Sequence, residues 1–161
     1  MANRFEKYVE ERVSELASER RAKLKAAYDA EVAKIDRRRD AYIKTIETGV
    51  EALVQKVVTQ AKKDGCRVDE TDLEQTALSN YAKDLAVAAV GIKQTYEYAS
   101  HEYRWPEGTA IREAQDALDA FDELCAKEAR RIVVYKKDLG MKPEAFEKMM
   151  AEVAEKINRE Q

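Results

Sequence analysis

The sequence predicts an all-α protein: a long N-terminal helix with an antiparallel helical bundle, three long helices plus a short C-terminal one. Three observations predict it. Of the 161 residues 38% are charged, well above the usual quarter, while Gly numbers 5 and Pro 2, the make-up of long helices with few breakers. Apolar residues recur at steps of three and four over about the first 60 positions, the signature of a helical stripe. No segment shows the alternation expected of a strand. The length suits one domain with a sizeable core, and the expected layout is a projecting coiled-coil-like stalk (1–33), a three-helix bundle (34–140) and an amphipathic C-terminal helix (141–161).

The first helix is read from Val9, Val13, Leu16, Leu24, Tyr28 and Val32, then Ile35, Tyr42, Ile46, Val50, Leu53 and Val57, with Arg20 and Arg39 at the two stripe positions that are not apolar. The mean step is about 3.7 residues, near the 3.6 of a straight helix. Running from about 3 to 63 it would be roughly 90 Å long, at 1.5 Å per residue, so it either projects or bends. Thr48-Gly49 is the expected bend, since Gly weakens a helix interior.

Gly65 suits a left-handed cap ending that helix, and Thr71 with Glu74 forms a capping box for the next. The second helix is expected over 72–103, apolar around much of its surface and therefore buried between neighbours. Trp105-Pro106-Glu107-Gly108 ends it and Thr109 caps the third, about 110–139, with Ile111, Phe121, Cys125 and Ile132 on its stripe. Gly140 stops this helix, and Pro143 fits the first turn of a last one with Phe146, Met149, Met150, Val153 and Ile157 on one face. Short connections make neighbours antiparallel, which would set the acidic loop at 64–74 beside the basic residues 130–137, and Arg37 to Arg39 near Glu97, Glu102 and Glu107.

The net charge of -3 exerts no global pull on nucleic acid or anionic lipid. Two cysteines, Cys66 and Cys125, make no disulfide framework and suit a reducing, intracellular compartment. The N-terminus is charged from the start, unlike a secretory signal, and the longest apolar run, 85–92, is too short to cross a bilayer. The expectation is a cytoplasmic protein with no membrane association.

The densest chemistry is TYEYASHEYRWPEG at 95–108, which holds the one His, the one Trp and three Tyr. Read as helix, Tyr96 and Tyr103 share one face while Tyr98, His101 and Trp105 share another. Two aromatic faces do not both fit a small core, so one is expected to be exposed. Tyr, Trp and Arg dominate binding hot spots. Tyr96, Tyr98, His101, Tyr103, Arg104 and Trp105, with Arg37, Arg38 and Arg39 in cation–π reach, are therefore the candidate partner-binding residues; the alternative is an aromatic plug closing the bundle.

Catalytic chemistry finds little support. One His and two distant Cys fall short of the three or four ligands of a zinc site, and five scattered Gly build no phosphate loop. No cofactor, metal site or catalytic residue is expected. The expected function is a non-enzymatic interaction module, an adaptor, assembly factor or small protein inhibitor of the kind that phages and mobile elements often encode. It would bind a protein partner and form a homo-oligomer, a dimer first, through Val9, Val13, Leu16, Leu24 and Tyr28 of the stalk. The first alternative is nucleic-acid binding by the basic stretch 20–39, diluted by Asp29, Glu31, Asp36 and Asp40. The second is an enzyme centred on His101.

Overall fold

The structure is a computed structural model that describes residues 3–78 and 81–159. Among the described residues it has five helices and one small sheet: α1 (Arg4–Lys63), α2 (Glu70–Leu78), α3 (Tyr81–Val90), β1 (Thr95–Glu97), β2 (Glu102–Arg104), α4 (Ala110–Leu139) and α5 (Pro143–Asn158). The all-α class holds.

The helix ends follow local chemistry. α1 continues through Thr48-Gly49, where Thr45 and Thr48 turn their hydroxyls back to the carbonyls of Ala41 and Lys44. Gly65 adopts φ 75 and its neighbour Cys66 donates its N–H to the Ala61 carbonyl, which closes the last turn. α2 is capped by Asp69, whose carboxylate accepts from the Asp72 N–H at 3.2 Å, so the expected capping box at Thr71 is displaced by two residues. Thr109 caps α4 through the Arg112 N–H, Gly140 ends it at φ 64, and Pro143 opens α5.

The single second helix expected over 72–103 does not form. The chain makes α2 and α3 instead, and positions 79 and 80 between them lie outside the described residues. Gly91 then takes the left-handed conformation, φ 71, with its N–H on the Val87 carbonyl, and ends α3. Residues 95–104 become an antiparallel hairpin.

The chain divides into two compact units, Met1–Glu31 with Glu107–Gln161, and Val32–Pro106. The three-helix bundle therefore joins the first half of α1 to α4 and α5, and not the second half to the middle of the chain. The described residues 3–31 belong to the first unit and pack on its core. Val9, Val13 and Ala17 are buried with Phe121, Ala129 and Ile132 of α4, and with the α5 face of Met149, Met150, Val153 and Ile157. Leu16 and Leu24 pack against this core, partly buried. Val9, Val13, Leu16 and Leu24, which the sequence assigned to an uncovered stripe, pack here within the chain, because two further amphipathic helices reach them.

Polar contacts fix the helix directions in this unit. Arg21 pairs with Asp122 at 2.8 Å, and the Lys136 ammonium sits 3.7 Å from the Phe5 ring centre, so α1 and α4 run antiparallel. Phe5 meets Phe146, and Arg20 reaches the carbonyls of Ile157 and Arg159, so α5 runs parallel to α1. The basic end of α4 finds its partners here too: Arg131 pairs with Glu128 and Glu152, where the sequence suggested the loop at 64–74.

In the second unit Val54 and Val58 of α1 and Ala86 of α3 are buried. The sequence stripe named Leu53 and Val57, which are exposed. The buried face here lies one residue further along than the stripe, about 100° around the helix.

Candidate functional site

The hairpin follows from a mirrored pattern, Thr95-Tyr96-Glu97 against Glu102-Tyr103-Arg104. The register pairs Thr95 with Arg104, Tyr96 with Tyr103 and Glu97 with Glu102. Because side chains alternate across a strand, the two tyrosines share one face of the ribbon and the two glutamates share the other. The four-residue connection Tyr98-Ala99-Ser100-His101 closes it. His101 takes φ 55, a left-handed conformation that His tolerates better than most residues.

An isolated two-stranded hairpin is marginal in water, so its side chains must supply what the ladder lacks. Tyr96 is central. Its ring meets Tyr103 edge-on at 5.3 Å and Tyr98 edge-on at 5.0 Å. Edge-to-face pairs of this kind each stabilise by about 0.5–1.5 kcal/mol beyond area burial. The Tyr96 hydroxyl lies 3.3 Å from His101 Nδ1, and the Ser100 hydroxyl donates to Glu97 at 2.9 Å across the loop. Opposed to these, Glu97 and Glu102 are like charges at paired positions, which is unfavourable.

The rings are ordered against one another yet remain open to solvent: Tyr96 is 40% exposed, Tyr103 65% and Tyr98 81%. His101 is exposed as well, while Arg104, Trp105 and Pro106 are half-buried where β2 leaves the hairpin. The displayed surface is therefore three tyrosines and one histidine, held on a short ribbon.

The structure thus brings Tyr96, Tyr98, His101 and Tyr103 together. Tyr96 and Tyr103 share a face, as read from a helix, but they do so as cross-strand partners. The missed signal was the polar–Tyr–polar triplet repeated on either side of a four-residue loop, following a glycine that stops a helix. Arg37, Arg38 and Arg39 do not join the aromatic cluster. Arg39 pairs with Asp36 at 3.2 Å and Asp40 at 3.6 Å, and among the described residues none of the three arginines forms a cation–π contact. The short, tightly spaced acids on the same helix claim Arg39 first.

The basic stretch is also largely engaged. Arg20 is tied to the end of α5, Arg21 to Asp122, Lys23 to Glu19 and Lys25 to Asp29. Cys66 is exposed in the loop after α1. Burial pushes the Cys125 thiol above its ordinary range, and the Asp122 carboxylate adds to this. Among the described residues no group of three or more His, Cys, Asp or Glu is placed to hold a metal ion, and no helix is long and apolar enough to cross a membrane.

One buried charge went unnoticed in the sequence. Glu128 of α4 is 4% exposed and accepts from Arg131 at 2.9 Å and Lys156 at 3.1 Å. Burial pushes its pKa up, but the hydrogen bonds from Lys156 and Arg131 outweigh this and hold it below the ordinary 4.5. Position 128 lies three residues after Cys125 and four before Ile132, so a carboxylate on the apolar stripe was the available signal.

The fold and the site together describe an all-α protein that displays an aromatic β-hairpin. Comparison of the chain with protein-family models, with curated proteins and with solved structures gives no match.

Proposed function

We propose that this chain is a non-enzymatic interaction module that binds a protein partner through the tyrosine hairpin. The observation that carries the reading is the ordered but solvent-exposed cluster of Tyr96, Tyr98 and Tyr103. Exposed apolar rings need a reason, and a preformed aromatic patch is the ordinary composition of a binding hot spot. Tyr has two side-chain torsions, so it presents a large contact area at little entropic cost on binding. The mutual edge contacts restrict the rings before the partner arrives, which reduces that cost further. An adaptor, an assembly factor or an inhibitor would each use such a patch.

The test is affinity capture from an extract of the source organism, with the wild-type chain beside Tyr98→Ala and Tyr98→Ala/Tyr103→Ala. Far-UV circular dichroism must show unchanged helicity, since both rings are surface groups. A hot-spot tyrosine contributes about 2 kcal/mol or more, so the single substitution should weaken binding roughly 30-fold. Equal recovery of the same protein by all three chains refutes the hairpin as the binding surface.

A further inference from the structure

A groove of about 490 Å³ runs between α1 and α4 in the first unit. Its floor is Val13, Ala17, Ala126, Ala129 and Val133, with Val134, 54% exposed, on its lip. Small residues dominate this floor, which lets another helix approach within the 8–10 Å typical of packed helices. The walls differ in charge. Glu6 and Glu10 stand on the α1 side and Arg130 on the α4 side, and the Arg21–Asp122 pair closes one end. Among the described residues neither Glu10 nor Arg130 forms an ion pair within the chain.

We propose that this groove is a self-association face: two copies pack groove to groove about a two-fold axis parallel to the helices, α1 of each over α4 of the other. The order of charge argues for a second copy. A helix of uniform charge would be repelled by one wall or the other. The matching surface must carry an acidic flank and a basic flank in reversed order, and a two-fold rotation of the groove itself supplies that.

The levels also match. Antiparallel α1 and α4 are pinned by Arg21 with Asp122 and by Phe5 with Lys136, so Glu10 lies within a turn of the level of Arg130. The rotation keeps levels and exchanges sides. It sets Glu10 opposite the partner's Arg130 twice, and Arg21 opposite the partner's Asp122 twice. The apolar floors then meet as a four-helix seam. The contact is isologous, so it closes at two copies.

The seam from Glu6 to Arg21 is about 22 Å long and about two helix widths across, on the order of 400 Å² per copy. That falls below the size of stable interfaces and in the range of weak, transient ones. The dimer therefore dissociates on dilution, and a dilute sample holds single chains.

Sedimentation velocity of the full chain from about 1 to about 300 µM tests the proposal, because association follows mass action. The wild type should move from one chain to two and stop there. Ala126→Glu places a charge at an exposed helix position in the seam, and Val134→Lys does so on its lip. Both should stay monomeric with unchanged circular dichroism. Glu10→Lys and Arg130→Glu should each weaken self-association about tenfold or more. An equimolar mixture of those two should associate more strongly than either alone, since each then faces its opposite charge. A single chain at every concentration, growth beyond two, dimers of Ala126→Glu as strong as wild type, or a mixture no stronger than its parts overturns it.

Discussion

Glu128 offers the sharpest test of how the first unit is held together. Replacing it with Gln keeps the shape and removes the charge. The carboxylate is 5% exposed, but its partners Lys156 and Arg131 are 46% and 37% exposed. The penalty of 3–5 kcal/mol for orphaning a fully buried charge therefore does not apply, because both cations can turn to water. What is lost is two charge-assisted hydrogen bonds, each worth about 1.5–3 kcal/mol in full, discounted because Arg131 and Lys156 are solvated and because the amide still accepts one donor. The expected cost at pH 7 is about 2 kcal/mol. For a chain of this size that lowers the melting temperature by roughly 4–8 °C.

The pH dependence carries a definite sign. The folded pKa of Glu128 is lowered from its ordinary 4.5, so the unfolded chain binds the proton more tightly. The stabilisation is complete above pH 4.5 and disappears as pH falls through the folded value. Thermal melts of wild type and Glu128→Gln should therefore differ fully from pH 6 to 8, and the gap should close as pH falls below 4.5 and through the lowered folded value. A gap that is absent at neutral pH, or that stays constant into acid, refutes the assignment of Glu128 as the charged tie between α4 and α5.

Three further outcomes are expected. Arg20→Ala loses two hydrogen bonds to the terminal carbonyls of α5 and the cation–π contact with Phe121, 5.1 Å to the ring centre, and should cost about 2–3 kcal/mol in denaturant unfolding. Arg20→Lys keeps the charge but not the planar fork, so it should recover only part of that loss. His101→Gly should preserve or slow hydrogen exchange of the amides at 95–104, whereas His101→Val, forced into the left-handed region at a cost of roughly 1–2 kcal/mol, should speed it. Iodoacetamide at pH 8 should modify exposed Cys66 well before Cys125, whose thiol is held protonated chiefly by burial; equal rates would show that Cys125 is not in the half-buried setting described.

The elements with strong local signals were legible in the sequence. The stripe, the Thr109 cap, Gly140 and Pro143 placed the first, third and last helices, because capping and periodicity act within a few residues. The middle of the chain was not read correctly. Its apolar density suggested one helix, while the outcome turned on Gly91 and on two short Tyr-centred triplets, each too brief to register as a strand. The candidate site was half legible: its tyrosines stood out by composition, but their shared face came from strand pairing, and Arg39 had nearer partners on its own helix.

By itself the sequence determined that the chain is helical, where three of its helices start and stop, and that aromatic side chains gather at 95–105. Only the tertiary structure decided which surfaces meet. An apolar stripe records that a helix needs cover and says nothing of what provides it. Val9 and Val13 would serve equally well against a second molecule or against α4 and α5, and Arg20 and Glu128 look like faults in a stripe until Ile157 and Lys156 arrive beside them. Contacts between residues far apart along the chain leave no local trace, because the free energy that selects them comes from burial and pairing in the assembled fold.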